Sequence, residues 1–147
     1  MSTSARRRAW RDRGSAALGA AIFTPVFLML LGVVIAAGRI QLAQGAADAA
    51  ARDAARTASL AASADVAESE AREAALASLG RSGLACSEVA VTVDAGGLEA
   101  PVGQAATVTA TVACTAPLND IALPGMPGSK ALTGRMTSVV DKWRSRG

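Results

Sequence analysis

The apolar and polar positions divide this chain into stretches of different period. Residues 14–38 carry no charged side chain, and residues 17–37 are almost purely Ala, Ile, Phe, Val, Leu, Met and Gly, with one Thr and one Pro. A bilayer core of about 30 Å takes roughly 20 such residues at helical rise, which predicts a transmembrane helix over residues 15–38. Pro25 removes one backbone hydrogen bond from that helix, a loss that membrane helices tolerate. Ala16, Ala20 and Thr24, and likewise Ala17 and Ala21, recur every four positions, a spacing that lets helices approach closely in lipid. Past Arg39 the chain is dominated by Ala, the strongest helix former, so the helix is expected to continue outside the membrane over residues 39–62. On a helical wheel Asp48, Arg52, Asp53 and Arg56 share an arc of about 140°, and Asp48–Arg52 is a favourable i,i+4 pair. Ala47, Ala50, Ala51, Ala54, Ala58 and Ala61 fall on the other side. They form a small-residue packing face suited to close helix–helix or helix–sheet contact.

Ser63-Ala64-Asp65 reads as a break, with Asp65 as the cap of a second helix over residues 65–80. Glu68–Arg72 is its internal pair, and Gly80 and Gly83 end it. The period then changes from helical to alternating. Val89, Val91 and Val93 alternate with small or polar residues, as do Val108, Ala110 and Val112 with Thr107, Thr109 and Thr111, which predicts two strands. The turn-rich stretch 95–103 joins them into a hairpin. Pro117, Pro124, Pro127 and Gly128 mark an irregular loop. Leu132, Met136, Val139 and Trp143 have helical spacing, yet Thr and Val enrichment favours a third strand over about 131–140. The β region as a whole is placed at 86–143.

Charge sets the orientation. Arg6, Arg7, Arg8, Arg11 and Arg13 precede the apolar run, opposed only by Asp12, and form a basic leader over residues 1–14, unstructured away from the membrane. Such flanks stay in the cytoplasm, so the N-terminus is inside and the C-terminal part outside the plasma membrane, with membrane lipid as the first partner. Cys86 and Cys114 then lie in an oxidising compartment and form a candidate disulfide, the alternative being two buried thiols. A bridge constrains the register. Setting Cys86 opposite Cys114 puts the two valine rows on opposite faces, so either Cys86 precedes the strand proper or a bulge intervenes; the first is favoured. The apolar run exceeds the length of a signal-peptide core, although cleavage after Ala36 is an alternative.

The sequence offers no catalytic parts. There is no His, and the two Cys lack metal spacing. No Gly-rich loop joins a strand to a helix, and no nucleophile has a base beside it. The expectation is a non-enzyme with no cofactor, no metal, no small-molecule substrate and no nucleic-acid partner.

In order, Arg11-Asp12-Arg13-Gly14-Ser15-Ala16-Ala17-Leu18, Thr24-Pro25, the apolar run ending Gly38-Arg39, and Ala50-Ala51-Arg52-Asp53-Ala54-Ala55-Arg56 resemble the TadE-like pilus-assembly proteins. These are pseudopilins of tight-adherence (Tad/Flp, type IVb) pili. The Val/Thr hairpin, the Pro-rich loop and the Leu132–Val140 segment look similar too. The resemblance implies a pilin-like α+β fold: a long N-terminal transmembrane helix continuing outside, a second short helix and a small antiparallel sheet of two or three strands. It also implies other pilin-like or Tad subunits as partners, and a prepilin peptidase that would cut between Gly14 and Ser15. The family's precursors carry Glu as the fifth residue after the cut. Here that position is Gly19, so the ion pair this Glu would make with a neighbouring amino terminus has no donor of charge. The alternatives are an unprocessed membrane-anchored binding or accessory protein, and a small secreted domain.

Overall fold

The computed structural model describes residues 3–141 and 143, with side chains described from Gly19 onward. It divides into two compact units, Met1–Ala37 and Gly38–Gly147. Helix α1 runs Thr3–Leu60. The basic leader, expected to be unstructured, is therefore helical from Thr3; residues 3–13 hold neither Gly nor Pro, and Ala and Arg are strong helix formers. Residues 1 and 2 of that leader lie outside the described residues. Within the apolar run, the Thr24 hydroxyl donates to the Ala20 carbonyl at 2.7 Å, beside Pro25, whose ring nitrogen has no hydrogen to donate.

The second unit is built on the remainder of α1. That helix closes with Ala61 N–H donating to Ala58 O, and α2 spans Ala64–Arg81. Its cap is Ser63 rather than Asp65: Ser63 is extended, and its hydroxyl oxygen accepts from Val66 N–H at 3.5 Å. Both residues are good cap types, and Ser63 wins because the helix begins one residue earlier than Asp65. At the other end Gly80 still lies within the helix. Gly83 carries the left-handed φ of 68° that turns the chain away, while Leu84 N–H reaches back to Leu79 O.

Strands β1 (Glu88–Asp94), β2 (Ala106–Pro117) and β3 (Ser129–Val140) form one antiparallel sheet in the order β1-β2-β3. The ambiguous C-terminal segment is thus a strand. The valine rows do share a face, with Val91 opposite Val112 and Val89 opposite Cys114, and Cys86 precedes β1. The slip from a Cys86–Cys114 pairing is three residues rather than one. An odd slip of any size inverts the faces, so parity alone gave the right face. Two further departures lie in the loops. A short 3-10 turn, Gly96–Glu99, interrupts the β1–β2 connection, and a one-turn helix α3, Leu118–Ile121, opens the Pro-rich loop. Pro117 closes β2 instead of belonging to that loop.

The sheet's inner face packs against alanines. Val108, Ala110 and Val112 cluster with Ala50, Ala54 and Ala58 of α1 and with Ala67, Ala71 and Ala75 of α2. A second cluster joins Ala43 and Ala47 to Cys114, Ala116, Ile121 and Leu132. The close approach depends on Gly134. A Cβ there would run into the backbone of Ala47 and Asp48, so a side chain at this point of β3 would push the strand off the helix. The outer face is threonine-rich, and the Thr109 and Thr137 hydroxyls hydrogen-bond across it at 3.0 Å.

Candidate anchor and packing surfaces

The first candidate surface is the span. Among the described residues one helix, Gly19–Leu60, is long and apolar enough to cross a membrane, and it is compatible with single-pass anchoring. From Ile22 to Ile35 its large side chains lie open, with Phe23 74% and Met29 75% exposed. Eleven large apolar residues left exposed there far exceed the scattered surface Leu of a soluble domain. Gly19, where the resemblance leads one to look for Glu, has open space around its Cβ position. Gly14 and Ser15, the candidate cleavage pair, fall on the helical backbone of α1, ahead of the residues whose side chains are described.

The second candidate is the small-residue face. Ala47, Ala50, Ala51, Ala54, Ala58 and Ala61 are all buried within the chain itself. Ala43 and Ala55 extend the same face. It is occupied by the chain's own sheet and α2 and is not a free surface for another subunit. On the charged side of the helix, Arg52 and Arg56 are exposed, and Asp48 and Asp53 half-buried. The two i,i+4 pairs are not formed. Asp48 accepts instead from the Gln44 amide at 3.3 Å, and Glu68 and Arg72 do not close. Among the described residues the ion pair within 4.0 Å is Arg81–Asp53, at 2.9 Å, which ties the end of α2 to α1. An exposed intrahelical pair gains only about 0.3–0.5 kcal/mol, too little to fix two long side chains.

The third candidate is the cysteine pair. Cys86 and Cys114 are joined as a disulfide, with their Cα atoms 5.5 Å apart. Cys114 is fully buried in β2, and Cys86, just before β1, packs against both core clusters. The bridge thereby fixes the entry of β1 beside the central strand.

Three positioning residues had no clear signal in the sequence. Gly134 could have been noticed as the one glycine inside a Thr/Val strand. Gln44 donates to the Thr133 carbonyl at 2.9 Å. Arg39 donates from Nη2 to the Asp120 carbonyl at 3.1 Å and from Nη1 to the Ala122 carbonyl at 3.5 Å. Long-range bonds of this kind leave no periodic trace. Among the described residues, no three His, Cys, Asp or Glu side chains gather where a metal could be held.

Residues 14–56 match the model of a family described as TadE-like protein. The matched stretch begins at the glycine of the candidate cleavage pair, takes in the whole apolar run and ends within the alanine-rich part of α1; the hairpin, the Pro-rich loop and Leu132–Val140 lie beyond it. No curated protein and no solved structure matches the chain.

Proposed function

From the TadE-like match over residues 14–56, we propose that this chain is a structural, non-catalytic subunit of a Tad-type pilus or secretion assembly. The observation that carries the reading is an order of features. Within one matched segment a Gly14-Ser15 junction is followed by an uncharged run of membrane-spanning length and then by an alanine-rich helix built into a small domain. In this reading the basic leader stays in the cytoplasm and the disulfide-bonded sheet lies outside the plasma membrane. A prepilin peptidase would remove residues 1–14 and leave the span in place. The partners are lipid and other assembly subunits.

N-terminal sequencing of the protein extracted from membranes tests this. The expected start is Ser15. A start near Ala37, with the protein in the aqueous fraction, would overturn the proposal in favour of a secreted domain. Gly19 supports a second reading, an accessory subunit that keeps its leader, because the carboxylate that pairs with a newly made amino terminus is missing. Recovery of the intact leader from membranes would select it.

A further inference from the structure

We propose that the loop Leu118–Gly128 is a lipid-docking element. Its uncharged tip seats in the headgroup layer of the leaflet from which the chain emerges. The proposal rests on the apolar part of α1 crossing a bilayer, and it holds whichever side the N-terminus occupies.

The loop is a closed, built structure. Leu118 N–H donates to Gly128 O at 2.9 Å across its base, Ala122 N–H to Leu118 O at 2.9 Å, and Met126 N–H to Leu123 O at 3.1 Å at its tip. Gly125 and Gly128, with φ of 82° and 101°, make the turns that other residues resist. Its ends are joined in the manner of an Ω-loop. The tip, Leu123-Pro124-Gly125-Met126-Pro127, has neither a charge nor a hydroxyl, and Met126 is 37% exposed.

Its position follows from the Arg39 guanidinium, which holds the carbonyls of Asp120 and Ala122. Arg39 is two residues past Ala37, the end of the apolar run. At about 3.8 Å per Cα step, its Cα is within about 8 Å of that end, whatever the angle between the two units. The headgroup layer is about 5–8 Å deep on each side of the hydrocarbon core. A loop clasped to Arg39 is therefore tethered within side-chain reach of the headgroup layer. Leu42, 77% exposed and one turn further along α1, lies at the outer limit of the same layer and adds apolar surface there. Arg39 keeps guanidinium N–H groups beyond those given to the carbonyls, and lipid phosphate oxygens suit them. The single charge within the loop is Asp120.

The test uses the unaltered full chain in phospholipid nanodiscs, with methyl-labelled methionine. Signals are assigned by single conservative Met→Leu variants. A lipid carrying a paramagnetic headgroup is added. The Met126 methyl is expected to broaden several-fold more than that of Met136, which sits seven residues up β3 from Ser129, about 24 Å along the strand. Equal broadening of Met126 and Met136 would overturn the docking, including the case where the tip faces a protein partner instead. A lipid labelled in the acyl chain reads Met29 separately. If Met29 broadens and Met126 does not, the span stands and the docking alone is lost. If Met29 is unaffected, both fall.

Discussion

Two stretches of one helix carry their apolar side chains in opposite ways. Over residues 22–35 of α1 the large residues Ile, Phe, Val, Leu and Met lie exposed, whereas from Ala43 to Ala61 the buried positions are alanine, with Ser59 the one polar exception. Backbone and helix type are the same in both. On the proposed membrane anchoring, the difference is the medium each side chain meets. Lipid accepts bulk and selects for transfer free energy, so size is favourable there. A sheet lying on a helix selects for closeness, so a methyl group fits where an isobutyl group cannot. Charge marks the boundary between these regions; side-chain volume distinguishes their apolar positions.

Perturbations of four kinds would break or sharpen that contrast. The largest effect is expected from removing the disulfide with Cys86→Ser and Cys114→Ser together. The closed loop of about 29 residues corresponds to about 3–4 kcal/mol on the chain-entropy model. Urea unfolding of the purified protein should show the loss, while the membrane-bound fraction stays unchanged. Next, Leu31→Arg places a charge near the middle of the apolar run, at about 3 kcal/mol against insertion. Carbonate extraction should find more of the protein soluble, with no loss of stability in the second unit. If the second unit unfolds as well, the two regions are coupled and the contrast fails.

Ala54→Leu and Gly134→Ala test the opposite rule, that added bulk harms the second unit. Overpacking costs about 1–3 kcal/mol, and Gly134→Ala should reach the upper end, since the atoms in its way are backbone. Thermal unfolding would check both; a rise in midpoint for either would show that the alanine face is loosely packed. The smallest effect is expected from Ser63→Ala, about 1 kcal/mol for the lost cap of α2. Asp65→Ala should cost less than Ser63→Ala, and a reversal of that order would restore Asp65 as the cap.

Much of this architecture is legible in the sequence, because composition and period report one-body preferences. The span follows from an absence of charge, the alanine face from helical spacing, and β1 and β2 from alternation. Leu132–Val140 carries both periods at once, and Thr and Val content decided it correctly for a strand. What stayed hidden are pairwise facts. The three-residue offset between the cysteines depends on where β1 begins. The Arg39 and Gln44 bonds join positions more than eighty residues apart in sequence. The two intrahelical ion pairs looked favourable by spacing, yet Asp48 found a neutral donor nearer to hand. Of the candidate surfaces, the cysteine pair was legible as a bridge. The alanine face was legible as a packing surface, but not as one filled by the chain's own sheet.

The alanine-built interior has a thermodynamic consequence. Unfolding heat capacity scales with the apolar area released, and typical domains release enough for about 12–15 cal/mol/K per residue. An interior made largely of methyl groups releases less. The second unit should therefore have a flatter stability curve than its size suggests, and a shallower response to denaturant. Its folding free energy would drift little across a wide range of growth temperatures.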